Sequence, residues 1–118
     1  MNILILEDDK SRQDKFMQNT VGHIRLIVNT ARDCIESLEE AVARLNSIDI
    51  LFLDHDLGGH IMQASGPGTG YEVAEWLSQH PDRKPKHIII HSFCIHGAQN
   101  MLQVLPEGGY EPGVWLLK

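Results

Sequence analysis

Acidic and imidazole side chains gather at three places in this sequence. Glu7, Asp8 and Asp9 form one run, Asp54, His55 and Asp56 form a second, and His91 is followed directly by Ser92. Carboxylates held close together repel, and a shared hard cation such as Mg²⁺ or Mn²⁺ is the simplest relief. Such an ion typically keeps several waters and accepts a phosphate oxygen. Histidine adds a group that gives or takes a proton near neutral pH. Taken together, these residue types spell a divalent-cation and phosphate pocket. Solvated acids after a strand are the plain alternative for either run alone, and two runs on adjacent strand ends favour the pocket.

For those residues to meet, the elements that carry them must end at one edge. Five apolar runs read as strands: Asn2–Leu6, His23–Val28, Asp49–Leu53, His87–Ile90 and Gly113–Leu117. Several are continuously apolar, as strands buried on both faces of a parallel sheet are. Helical patterns fill the gaps. Ser37-Leu38-Glu39-Glu40 reads as a capping box, followed by Leu38, Ala41, Val42 and Leu45 on one face. Thr69-Gly70-Tyr71-Glu72 reads as a second box, opening a helix with Val73, Ala74, Trp76 and Leu77 inward. Pro81 and the Lys84–Lys86 cluster end that helix. Weaker helices fit Lys10–Thr20 and Ala98–Leu105.

Strand alternating with helix predicts an α/β fold, a three-layer, doubly wound, five-stranded parallel sheet. Ligands in such sheets bind beyond the carboxyl ends of the strands. In the order 2-1-3-4-5, the first and third strands are neighbours roughly 4.8 Å apart, which brings Asp8 and Asp54 within reach of one cation.

The bulk numbers narrow the choices. The 118 residues suit one domain over 1–118, with no repeat or linker to divide it. Sixteen acidic against ten basic residues leave a net charge of −6, which disfavours a nucleic-acid partner. Cys34 and Cys94 fit neither a disulfide framework nor a CxxC metal site, and read as buried thiols in a reducing compartment. No run approaches the roughly 20 apolar residues that span a bilayer, so no membrane partner is expected. With the first strand starting at once, the expected location is the cytoplasm.

The same residues carry a family likeness. Ile3-Leu4-Ile5-Leu6-Glu7-Asp8-Asp9 resembles the first strand and acidic pair of response-regulator receiver domains. Asp49-Ile50-Leu51-Phe52-Leu53-Asp54-His55-Asp56-Leu57 resembles the strand that carries their phosphoacceptor, which would be Asp54. Gly70 matches the glycine opening the next helix, and Ser92 falls where receivers place a hydroxyl on the phosphoryl group. Val114-Trp115-Leu116-Leu117-Lys118 resembles the last strand, with Lys118 as the cation on the phosphoryl oxygens. The resemblance implies the CheY-like, flavodoxin-like fold, a bound Mg²⁺, and a histidine kinase as partner.

Three departures shape the functional expectation. The sequence ends at Lys118, without the proline and last helix of the family. A long glycine-bearing segment, 55–69, reads as a flap over the pocket or as disorder, and lacks P-loop spacing. Histidines stand where ordinary receivers have none: His55, His60, His91 and His96. Taken singly, His91 reads as a neutral core group, His60 and His96 as surface residues; His23, His80 and His87 read as structural. Leu53-Asp54-His55-Asp56-Leu57-Gly58-Gly59, Thr69-Gly70-Tyr71-Glu72-Val73 and His91-Ser92 with Gly97-Ala98 and Met101 resemble the branch proposed to process cyclic phosphates. That branch would have Asn near Cys94, where this chain does not.

The leading expectation is therefore a metal-dependent phosphoesterase acting on a small, cyclic phosphate. Glu7, Asp8, Asp9, Asp54 and Asp56 are the candidate ligands of Mg²⁺ or Mn²⁺. Asp54, His55, His91, Ser92 and Lys118 are the candidate catalytic residues, the histidines as acid and base. The alternative is a stand-alone receiver phosphorylated on Asp54 in a phosphorelay. A degenerate receiver used as a binding surface, and a transition-metal site on His55, His91 and the aspartates, rank below these.

Overall fold

A computed structural model describes residues 1–43, 47–57, 64–92, 94–107 and 113–115. Strands and helices alternate along it: β1 (Asn2–Leu6), α1 (Lys10–Asn19), β2 (Ile24–Val28), α2 (Ala31–Ala43), β3 (Ile50–Leu53), α3 (Gly70–Gln79), β4 (His87–His91), α4 (Ile95–Glu107) and β5 (Gly113–Trp115). A single 3-10 turn, Pro81–Arg83, links α3 to β4. All strand pairs are parallel, in the order β2-β1-β3-β4-β5. The expected α/β architecture is thus observed. Leu45, the 58–63 part of the proposed flap with His60, Phe93 and 116–118 with Lys118 lie outside the described residues.

Side-chain alternation along each strand splits the core in two. Leu4, Leu6, Leu51, Leu53, Ile88 and Ile90 pack with residues of α2, α3 and α4, among them Cys34, Leu38, Val73, Leu77, Met101 and Leu105. Ile3, Ile5 and Phe52 point the other way and meet Phe16 of α1. β2, at the sheet edge, exposes Ile24 and Leu26 instead of burying both faces. Both cysteines are free and buried, as expected. Burial drives the Cys34 thiol well above its ordinary pKa, so it stays protonated and behaves as a small apolar group.

One expected helix start is corrected. Ser37 does not open α2, which begins six residues earlier at Ala31. Thr30 caps it, its hydroxyl accepting from the Asp33 amide at 3.1 Å, while the Ser37 hydroxyl donates to the Asp33 carbonyl one turn back. The two hydroxyls stand seven residues apart, and burial of Cys34 ahead of Leu38 goes with the earlier start. Thr69 caps α3 as predicted, accepting from the Tyr71 amide. Val73, Ala74 and Leu77 are buried there, whereas Trp76 is half-buried and stacks on His80 with ring centroids 4.3 Å apart.

Candidate functional site

Strand register sets the first row of the site. Leu6 pairs with Leu53 and Leu53 with Ile90, so the next residues, Glu7, Asp54 and His91, stand side by side at the carboxyl edge. By the alternation that puts Ile5, Phe52 and Ile89 on the α1 side, these three turn toward α1 as well. All are buried. Glu7, Asp8 and Asp54 each offer a carboxylate oxygen within 4.8 Å of the others.

A cation already leans into this trio from α1. Asp9 caps the helix by accepting from the Arg12 amide at 3.0 Å, and this fixes the first turn. Helical side chains tilt back toward the N-terminus, so Arg12 returns over the strand ends. Its guanidinium grips Glu7 in a two-pronged pair, Nε to Oε1 at 2.8 Å and Nη2 to Oε2 at 3.2 Å. The same Nη2 stands 3.8 Å from Asp54 Oδ2, too far for a hydrogen bond. Burial of Arg12 works against its charge, but the Glu7 hydrogen bond and the charges of Glu7, Asp54 and Asp9 outweigh it and hold its pKa above the usual value.

Asp54 is left incomplete by this arrangement. Its Oδ2 is buried and has no hydrogen-bond partner among the described residues. Burial, then the Glu7 charge, with smaller pushes from Asp8 and Asp56, raise its carboxyl to about 8 against the pull of Arg12. An oxygen-only trio with one unsatisfied, destabilised carboxylate fits a hard divalent cation. Asp9 and Asp56, the other candidate ligands, are engaged elsewhere, Asp9 as the cap and Asp56 on His55.

His91 and His55 are not brought together. His91 lies edge-on to Phe16 at a centroid distance of 4.8 Å and to Phe52 at 6.3 Å, fully enclosed. Glu7 Oε1 is 3.6 Å from its Nδ1, and neither ring nitrogen has a partner within ordinary hydrogen-bond geometry among the described residues. Burial, then the Arg12 charge, push its pKa down to about 3, with the Leu6 carbonyl only partly offsetting them. His91 is therefore a neutral packing group beneath the acidic row.

His55 follows Asp54 by one residue and turns to the α4 side. Its Nδ1 meets Asp56 Oδ1 at 2.7 Å, and its Nε2 meets Ser65 Oγ at 2.9 Å. Two glycines make room for this corner. A Cβ on Gly70 would run into the Asp54 carbonyl, and one on Gly97 into the His55 ring. Gly70 also donates its amide to the His55 carbonyl at 2.9 Å. Cys94 comes within ligand distance of His55 and Asp56. With both ring nitrogens hydrogen-bonded and Cys94 Sγ accepting from the Gly97 amide, that cluster is already satisfied.

Ser92 is buried at the end of β4, its oxygen accepting from the Cys94 amide at 3.0 Å as the chain turns into α4. His96 is exposed, His23 meets the N-terminal amine, and His80 bonds the Trp76 carbonyl, all at positions without a part in the row. Arg12, Ser65 and Asn100 escaped the sequence reading. Only Arg12 carried a usable signal, standing three residues after a capping Asp. A cleft of about 400 Å³ adjoins Asp8, lined in part by Thr30, Ala31, Leu57 and Glu72.

Comparison with known proteins agrees with this fold. The cyclic-phosphate processing receiver domain matches residues 2–107. Among solved structures, the signal receiver domain of a putative Luxo repressor protein from Vibrio parahaemolyticus is similar, at 20% identity and TM-score 0.61, over 98% of this chain and 76% of that one. A CheY-like response regulator receiver domain protein from Methanospirillum hungatei JF-1 is similar at 18% identity and TM-score 0.66, over 98% and 79% of the two chains. These likenesses show the fold. No curated protein matches the chain. Among the described residues no helix is long and apolar enough to cross a membrane.

Proposed function

This chain belongs to the cyclic-phosphate processing receiver domain family, and from that premise we propose that it is a divalent-cation-dependent phosphoesterase acting on a cyclic phosphate. The observation that carries the proposal is Asp54 Oδ2, buried beside Glu7 and Asp8 without a hydrogen bond among the described residues. Those three residues would hold Mg²⁺ or Mn²⁺. A bound ion of this kind polarises a phosphoryl oxygen or acidifies a water.

The chain's own residues supply the rest. Arg12, anchored on Glu7, holds positive charge where phosphate oxygens would gather. Ser92 keeps its hydroxyl proton for a phosphate oxygen, since its own oxygen receives the Cys94 amide. Lys118 would add a second cation, as the family likeness implies. The acid–base role goes to His55 alone, because His91 is enclosed by Phe16 and Phe52 while His55 reaches the half-buried Ser65. Positioning and charge stabilisation carry much of the rate for a cyclic diester, which suits this set.

Titration calorimetry of Mg²⁺ and Mn²⁺ into wild type and Asp54→Asn, followed by assay of a cyclic-phosphate panel, tests the reading. Binding that disappears in Asp54→Asn, with turnover by wild type, supports it. His55→Ala should lose turnover and keep cation binding. Cation binding without any turnover would overturn the esterase and leave the phosphoacceptor role, favoured by Asp54 standing at the end of β3. Beryllofluoride should then bind wild type and alter the Trp115 environment.

A further inference from the structure

On the α4 side of β3, His55, given the acid–base role above, is the middle member of a directed hydrogen-bond chain of three side chains. Asp56 Oδ1 lies 2.7 Å from His55 Nδ1, and His55 Nε2 lies 2.9 Å from Ser65 Oγ. Asn100 Nδ2 donates to the same Ser65 oxygen at 2.8 Å. A carboxylate can only accept, so the imidazole places its proton on Nδ1, facing Asp56. The other nitrogen, Nε2, is then the acceptor and takes the Ser65 hydroxyl proton, while the Ser65 oxygen accepts from Asn100. The order carboxylate, imidazole, hydroxyl follows from that one assignment.

Burial follows the same direction. His55 is fully enclosed and Asp56 nearly so, whereas Ser65 is half-buried and Asn100 exposed. Only the hydroxyl end of the chain is open to a ligand. The His55 ring is seated against Gly97, where any side chain would displace it, so its aim at Ser65 is held by packing as well as by hydrogen bonds. A serine hydroxyl on an imidazole that is itself oriented by a carboxylate is the arrangement that activates a nucleophile, whatever fold carries it.

We propose that Ser65 is a nucleophile, activated by His55 and Asp56, that attacks the phosphorus of a phosphoester. Oγ forms a bond to phosphorus as its proton passes to His55 Nε2, and Asp56 stabilises the imidazolium. The P–O bond to the leaving alkoxide then breaks, and the alkoxide takes the proton from Nε2. Water attacks the phosphoserine, giving its proton to His55, which returns it to Ser65 Oγ. Asn100 holds the hydroxyl in register before attack. The choice of a phosphoester rests on the function proposed above, whereas the activation of Ser65 stands on this hydrogen-bond chain alone.

The test is labelling with a fluorophosphonate in EDTA, read by intact mass and peptide mapping, which needs neither the cation nor the natural substrate. Wild type should form one adduct, on Ser65. Ser65→Ala should form none, and His55→Gln and Asp56→Asn should label slower by on the order of 100-fold. Asn100→Ala, an exposed change, should fold normally and lower the labelling rate, which guards against variants that fail to fold. No Ser65 adduct in wild type, or an unchanged rate in a folded His55→Gln, would overturn the proposal. Labelling of Ser65 in a protein that shows no cation-dependent turnover would support it while removing the cation-dependent esterase.

Discussion

The two sides of the β3 end, one residue apart in sequence, solve opposite problems. On the α1 side, Asp54 is buried with an oxygen that makes no hydrogen bond among the described residues and stands against two further acids. On the α4 side, His55 has a partner on each ring nitrogen. One side is incomplete and calls for something from outside. The other is complete and has its geometry built in. An unsatisfied buried carboxyl and a saturated polar chain both persist in a folded protein, but for different reasons. The first is tolerated where a ligand relieves it, the second where fixed orientation matters.

Removing Arg12 should break the α1 side most severely. Arg12→Ala leaves Glu7 fully buried with its guanidinium partner gone, and loss of one partner of a buried pair costs about 3 kcal/mol or more. Denaturant unfolding at pH 7.5 should show this loss, and millimolar Mg²⁺ should recover part of it if the trio takes a cation. Unchanged stability would mean that Arg12 is only a surface pairing. Gly97→Ala should break the α4 side by about 2 kcal/mol, since its new methyl would meet the His55 ring. Mg²⁺ should recover nothing there, and calorimetry should find cation affinity intact.

Asp54→Asn should sharpen the contrast by going the other way. In the folded chain this carboxyl stays protonated up to about 8, while unfolded it ionises near 3.8. Between those values the unfolded state binds fewer protons, so the cation-free wild type loses stability as pH rises. Asn removes that loss, and at pH 8 in EDTA the variant should exceed wild type by at least about 1.4 kcal/mol, one pK unit's worth. A variant less stable than wild type there would show that the carboxylate is satisfied without a ligand.

The smallest effect at neutral pH is expected beneath the row. His91→Phe exchanges a neutral buried ring for an apolar one of similar size, a change of under about 1.5 kcal/mol. Acid separates the two proteins. With its folded pKa near 3 and its unfolded value at 6.5, His91 makes wild type lose stability as pH falls through that window. The variant should lack this slope in urea titrations at pH 5, and a slope unchanged from wild type would place the proton acceptor elsewhere.

Legibility in the sequence tracks the range of each interaction. Asp54 and Glu7 were found because acids directly after apolar strands have few other meanings. The Thr69 cap and Gly70 were found because capping is local, whereas Ser37 misled because Thr30 offers the same local signal. Alternation also fixes which side each residue faces: Phe52 and Asp54 one way, Leu53 and His55 the other. That parity, applied to β4, separates His91 from His55.

The sequence by itself therefore determined the strand–helix alternation, the parallel sheet, the edge at which the acids gather and the side each faces. These follow from hydrophobic periodicity and chain geometry, which act within a few residues. Only the tertiary structure decided which distant side chain completes each group. Arg12 reaches Glu7 and Asp54 because α1 packs across the strand ends, and Asn100 reaches Ser65 across 35 residues of chain because α4 packs beside β3's end. Such partners are chosen by the packing of whole elements, and no local pattern encodes the distance at which two hydrogen-bonding atoms finally stop.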